Sequence, residues 1–441
     1  MHRPPRVSRE LLSAFTVLLV ATVGAAPLRG QADASFEGFQ FNRSLPGARS
    51  LALGGAFVAL ADDATAAYSN PAGLTILESP EVSIEGRSWN TTTIFTTAGD
   101  ARNGSDFRSF DFGKAKDYTA GLSFLSYVYS QRDARWAVAL YRHQLIDFHS
   151  HFSSFGVRKD ETMFFGPLQF STDLGIVNYG LSGSYRIGRD LRLGVGLSYD
   201  TFDLESRQLD QKPNGTLIAG DHGHDSNVTF NLGALWAANP ELTLGASYKR
   251  GPRFKMDECF PTSPGNPCFQ GLAQGRGGFQ VTDSFHAPDQ FAFGIAFLPN
   301  DVLTALVEYD RVQYSQLLDG NRLGAFDVGG HTYKFDLNDA NEVRLGVEYQ
   351  FKRPNGEAFT IMGGGWYDPD HTLTFNAASF DSAPAGESLR FRGAYFQPTG
   401  KNLIHVSAGA EVAVERFQLD VGIDHSERAD TLAISAVIHF R

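Results

Sequence analysis

The residues of this chain that could do chemistry are few and poorly spaced for catalysis. Asp221-His222-Gly223-His224-Asp225 is the densest cluster of metal-ligating types. It sits in a stretch rich in Gly and Asp that reads as a long solvated loop. Metal ligands need a supporting layer of residues that such a loop does not supply, so no metal is expected. Asp424-His425-Ser426 has the residue types of a hydrolytic triad. Neighbours on a strand point to opposite faces, so these side chains cannot converge on one substrate. The chain has no G-x-S-x-G and no H-E-x-x-H, the spacings that present a nucleophilic Ser on a sharp turn or two zinc-binding His on one helix face. A surface lipase or protease is therefore the last reading to weigh, and neither an enzyme nor a cofactor is expected. Cys259 and Cys268 are the two cysteines. Their number and spacing suit one bridge within a long outer loop in an oxidising compartment, not zinc. A loop that short gains on the order of 2–3 kcal/mol from its bridge.

Alternation dominates the rest of the sequence. In residues 191–200, Leu191, Leu193, Val195, Leu197 and Tyr199 share one face, and Arg192, Gly194, Gly196, Ser198 and Asp200 the other. A period of two is a strand. Residues 343–351 and 416–425 repeat the pattern, as do 242–249 and 303–311. Candidate strands begin near Glu81, Tyr118, Arg135, Phe170, Leu191, Asn227, Leu242, Gln290, Val302, Glu342, Ala358, Asn402, Phe417 and Thr431. The links at 131–133, 188–190, 239–240, 299–301, 353–356 and 415–416 are short. Those at 98–117, 151–167, 208–225, 251–286, 317–338 and 369–400 are long, and only the last hairpin, around 427–430, breaks the rhythm. A soluble sandwich also alternates, but it has no reason to segregate its loops this way. Short inner turns, long outer loops and an even strand number mark a transmembrane barrel.

Composition and export agree with that reading. The chain has 46 Gly, 36 Phe and 15 Tyr but only 4 Met, a balance of strands and turns rather than a helical core. Arg3, Arg6 and Arg9 precede an apolar run at 11–26, too short for a spanning helix, and small residues follow it. Residues 1–26 thus read as a signal peptide, with cleavage after Ala26, Ala32 or Ala34; an uncleaved anchor is the alternative. No later segment has about 18 consecutive apolar residues, so membrane crossing requires a closed barrel, in which every backbone group is paired. The formal charge of −11 argues against nucleic acid. The fold expected is all-β. It is an antiparallel transmembrane β-barrel of about fourteen strands over 79–441, in the bacterial outer membrane, with a small, partly helical plug at 35–78. The apolar faces meet lipid and the polar faces line the lumen. Tyr199, Tyr248 and Tyr309 at upper strand ends, with Tyr185 and Tyr349 at lower ends, form two aromatic girdles. Phe440 is the penultimate residue, at the end of the last strand.

Residues 45–75 do not alternate. They are rich in Ala and Gly. Asp62 or Asp63 is placed to cap a short helix over 64–68, and Asn70, preceding Pro71, stops it. Gly47-Ala48-Arg49, Gly54-Gly55-Ala56-Phe57, the run from Ala61 through Asp62 and Asp63 to Ala66, and Asn70-Pro71-Ala72-Gly73-Leu74 stand in fixed order. In these blocks the chain resembles the N-terminal hatch of the FadL family, outer-membrane transporters of long-chain fatty acids and related hydrophobic compounds. Trp366-Tyr367-Asp368 before Pro369 resembles a late strand ending of that family.

The resemblance implies a fourteen-stranded barrel closed by the hatch. A fatty acid or other hydrocarbon is captured outside, passed to an inner site, and released by hatch movement through a lateral gap at a kinked third strand. Asn70, Pro71 and Ala72 match the hatch motif, with Gly54, Gly55, Asp62 and Asp63 in the flanking blocks. The third strand, read at 135–147, has no Gly, so a kink there must come from a bulge. Phe57, Val58 and Leu60 either line an apolar pocket, where each buried CH2 gives about 0.8 kcal/mol, or pin the hatch to the wall. Lumen-facing Arg192, Glu308, Arg344, Glu348, Asp420 and Asp424 are expected to pair with one another or with the hatch. The expected partners are a hydrophobic small molecule and outer-membrane lipid, with the barrel a monomer. A binding partner of a secretion machine and an open diffusion porin are the competing roles.

Overall fold

The computed structural model describes residues 41–440 except 101–109, 159–163, 166, 213–214, 262–277, 321–324, 329–330, 354–355, 377 and 380–399. The predicted signal peptide, the first residues of the predicted plug, and Cys268 lie outside the described residues. Fourteen long strands form a closed antiparallel barrel. They are β1 (Glu81–Asp100), β2 (Phe110–Tyr129), β3 (Trp136–Ser154), β4 (Leu168–Ile187), β5 (Leu191–Lys212), β6 (Gly215–Asn239) and β7 (Leu242–Lys249). The series continues with β8 (Gln290–Asn300), β9 (Leu303–Val312), β10 (Ala340–Lys352), β11 (Ala358–Asp368), β12 (Leu403–Val414), β13 (Phe417–His425) and β14 (Ala429–His439). Each pairs with the next, and β14 closes on β1 with His439 opposite Glu81. Among the described residues no helix is long and apolar enough to cross a membrane; the strands cross it.

Alternation sets which way each side chain points. Leu197 (58 % exposed), Leu345 (54 %) and Ile423 (51 %) project outward, while Ser198, Arg344 and Asp424 between or beside them are buried inside. A belt of large apolar side chains around the whole wall is stable in lipid and not in water.

The strands are longer than hydropathy suggests. The predicted loop at 208–225 is instead strand: β5 and β6 stay paired up to Lys212 opposite Gly215. Likewise β1 runs to Asp100 and β2 starts at Phe110, which shortens the predicted 98–117 link. Here Ser206, Gln208 and Asp210 are buried and Glu205 and Arg207 point outward. Polar residues on both faces hide the period from any apolar pattern. The Asp/His cluster is thereby corrected from loop to strand. His224 Nδ1 lies 2.6 Å from Asp203, and Asp221 accepts a hydrogen bond from Ser206 Oγ at 2.8 Å.

The third strand is irregular where it matters. The β3–β4 register slips between Gln144 and Ile146, leaving Leu145 as a bulge. The β2–β3 ladder ends with Phe124 opposite His143. Beyond that pair β2 continues on β1 and β3 on β4. The wall therefore has a seam.

Candidate functional site

The N-terminal segment lies inside the barrel. It holds α1 (Ala48–Ala52), α2 (Ala66–Ser69) and a 3-10 helix (Pro71–Ile76). The second helix has Thr65 as its N-cap and no side-chain cap, so neither Asp62 nor Asp63 caps it; Asp63 Oδ1 instead accepts from Thr65 N at 2.8 Å, in the turn before the helix. The helix stops at Asn70, whose φ of −154° is extended, as the following Pro requires. Asn70 is fully buried and works as a clasp. Its Nδ2 donates to Val58 O (2.7 Å) and to Ala234 O of β6 (3.2 Å), and its Oδ1 accepts from Ala72 N (3.2 Å). Ala72 O in turn accepts from Ser184 Oγ of β4 at 2.9 Å.

Small residues on both sides let the segment and the wall meet backbone to backbone. A Cβ on Gly422 of β13 would lie 2.2 Å from Ala48 O, and one on Gly194 of β5 2.3 Å from Ala72 N. Gly54, at φ +66°, turns the chain beside Gly365, where a Cβ would lie 2.5 Å from the wall nitrogen. Lumen-facing glycines recurring on successive strands are the sequence signal of this docking belt.

Buried charges complete the attachment. Arg49 makes a two-pronged pair with Glu348 of β10 (3.0 and 2.8 Å) and a bond to Asp62 (2.6 Å). Burial works against the Arg49 charge, but the surrounding carboxylates hold its pKa well above the usual value. Burial pushes the Asp62 carboxyl up to about 6, against the pull of Arg49. Glu308 of β9 accepts from Phe57 N and Val58 N, each at 2.7 Å, and Glu85 of β1 accepts from Gly47 N at 2.6 Å. Arg344 of β10 pairs with Asp310 at 2.7 Å and reaches Gly54 O at 3.3 Å. Asp424 accepts from Ser407 Oγ (2.6 Å) beside His405, and Asp420 accepts from Gln418 (3.1 Å). Among the described residues, Arg192 joins none of these pairs. Asp424 faces inward and His425 outward, where His425 meets Asp430, so the three-residue triad motif is split across the wall.

A cavity of roughly 200 Å³ lies above this body. Ser44, Leu45, Leu51, Gly54 and Gly55 line it from the plug, and Trp89, Leu145, Ile146, Phe148 and Trp366 from the wall. Phe57, Val58 and Leu60 do not line it. They are buried against the wall, where Val58 packs over Gly294 and Gly245. Of the two readings of these residues, the contact of Val58 with closely approaching glycines fits the one in which they pin the plug to the wall. The cavity reaches the bulge beside the seam, at Leu145 and Ile146. Ser44 N donates to the bulged Leu145 O at 3.1 Å, and Arg87 of β1 donates to Ser44 Oγ (2.8 Å) and Leu45 O (2.6 Å). Trp366 is sandwiched by Arg344 at 4.3 Å and His405 at 3.9 Å, so the apolar lining carries a charged rim. Cys259 is buried on the first arm of an outer hairpin, Arg253–Pro261.

A closed lipid-facing wall of fourteen strands, filled by its own N-terminal segment and holding a small internal cavity, is a plugged outer-membrane barrel. The chain belongs to the family of outer membrane transport proteins OMPP1/FadL/TodX, whose pattern matches residues 28–376. A comparison with curated proteins finds no match. Among solved structures it resembles a Pseudomonas aeruginosa FadL homologue (14 % identity, 92 % of this chain and 100 % of that one, TM-score 0.64). It also resembles the P. putida toluene transporter TodX (15 %, 92 % and 99 %, TM-score 0.56). A third likeness is the Ralstonia pickettii toluene transporter TbuX (15 %, 92 % and 99 %, TM-score 0.53). At these identities the likeness is one of fold.

Proposed function

We propose that the protein takes up a small hydrophobic molecule across the outer membrane by capture in the cavity, displacement of residues 42–45, and lateral release at the β2–β3 seam. The observation that carries this reading is positional: the cavity reaches Leu145 and Ile146, just past His143, where the β2–β3 ladder stops. An apolar ligand leaving there enters hydrocarbon without crossing the polar lumen. Size supports a compact ligand. A cavity of about 150 Å³ holds benzene, so roughly 200 Å³ has room for one aromatic ring, with Arg87, Asp147, Arg344 and Asp424 also on its lining. A long acyl chain needs residues 42–45 moved aside first. The toluene transporters among the structural neighbours point the same way.

The test is uptake of labelled toluene and of a long-chain fatty acid by cells that lack other channels for such compounds, with and without this protein. Faster uptake of either compound, toluene above all, is expected. No gain for either would overturn the transport reading. Co-purification of a secretion complex with no gain in uptake would favour the partner role.

A further inference from the structure

The seam presents a problem that the chain has solved with side chains. Where β2 and β3 part, backbone groups lose their ladder partners, and lipid offers no replacement. Arg142 and Gln144 stand on the outward face of β3 at this point, in the alternate positions that lower down hold Trp136, Val138 and Leu140. The Arg142 guanidinium donates to Leu122 O across the seam and to Gln144 Oε1 at 2.5 Å. Gln144 Nε2 donates to Ile146 O, just past the bulge, at 2.6 Å. A charged side chain facing lipid is costly and is tolerated where it pairs with backbone carbonyls. A groove on the outer wall, lined by Leu125, Tyr127, Leu140 and Arg142, lies against the same seam that the cavity reaches from within at Leu145 and Ile146.

We infer that Arg142 is a positioning residue at the lateral exit and selects for hydrophobic ligands that carry one hydrogen-bond acceptor. This rests on the lateral-release reading above. A ligand passing between β2 and β3 must part Arg142 from Leu122 O. A plain hydrocarbon leaves the guanidinium without that partner in an apolar setting, an expensive state. A hydroxyl, carbonyl or carboxylate on the ligand takes the place of the Leu122 carbonyl and keeps the charge paired throughout. Arg142 thus acts as latch and as reader of the ligand's polar end.

The experiment compares uptake of benzyl alcohol and toluene, which differ by one hydroxyl whose oxygen is the acceptor, in cells expressing wild type, Arg142→Met or Arg142→Lys at equal surface amounts. Heat-modifiable gel migration confirms that each barrel has folded. The wild type is expected to favour benzyl alcohol. Arg142→Met should lower the alcohol-to-toluene ratio by about tenfold, the size of one charge-assisted hydrogen bond, with toluene uptake kept or raised. Arg142→Lys, which cannot span both acceptors, should fall between. An unchanged ratio in folded Arg142→Met overturns the inference and leaves transport standing. If Arg142→Met does not fold, an unchanged ratio in Arg142→Lys overturns it equally. Absence of uptake of both compounds by wild type brings down the transport reading and this inference with it.

Discussion

Residues 47–76 of the plug are wedged against wall glycines and tied down by buried carboxylates, whereas residues 42–45, which follow the buried Phe41, are held mainly by exchangeable hydrogen bonds. In the body, the Arg49–Glu348 pair and the Glu308 clasp on Phe57 and Val58 sit in places that water does not reach. Breaking them strands a charge. In the leading residues, Ser44 N rests on the bulged Leu145 O, and Arg87 holds Ser44 Oγ and Leu45 O, on groups that border the cavity. A ligand or water can replace those bonds one by one. On the proposed route the body acts as anchor and the leading residues as the strap that gives way, and the strap lies beside the seam.

Removing one partner of the anchor should have the largest effect. Arg49→Met leaves Glu348 and Asp62 without their cation and should cost plug seating about 3–5 kcal/mol. The expected result is faster hydrogen exchange across residues 48–62 and a rise in planar-bilayer conductance. Unchanged protection would mean that the ion pair does not anchor the plug. Next, Gly422→Val puts side-chain atoms into the space of Ala48 O and should cost about 1–3 kcal/mol by overpacking, read as loss of amide protection in α1. Smaller still, Ser44→Pro removes the donor to Leu145 O and the Oγ that accepts from Arg87, together worth about 1–2 kcal/mol. Uptake should rise while residues 48–62 keep wild-type protection. Loss of protection there would erase the distinction between strap and anchor.

The smallest effect is one of pH. Asp62 has its pKa in the folded plug raised to about 6, so the seated plug prefers the protonated acid. That contribution is complete below the ordinary carboxylate range and is lost as pH rises through about 6. Amide protection near Asp62, corrected for intrinsic exchange, should be greater at about pH 5 than at about pH 7, and Asp62→Asn should flatten the difference.

Much of this architecture was legible because lipid imposes a simple rule on side chains. Leu193, Val195 and Leu197 face outward with Gly194 and Gly196 between them, and the period of two fixes both strand and sidedness. Above the membrane the rule lapses, and the strand around Asp221 and His224 passes for a loop. The bulge at Leu145 leaves no compositional mark, since a bulge can form without Gly. The cavity walls were out of reach for another reason. Trp89 and Trp366 are far apart along the chain, and barrel closure brings them together. Phe57, Val58 and Leu60 stood at the right place in the sequence for a pocket but are buried away from the cavity, Val58 over glycines of the wall.

The central claim is that ligand leaves through the seam behind the strap. It is tested most directly by tying the strap shut. Ser44→Cys with Leu145→Cys joins two residues whose backbones already share a 3.1 Å hydrogen bond. Uptake of toluene is measured with the pair oxidised and then reduced, against wild type treated the same way. The account predicts uptake at background when oxidised, recovery on reduction, and no such change in wild type. Full uptake through a barrel whose pair is completely oxidised would contradict it.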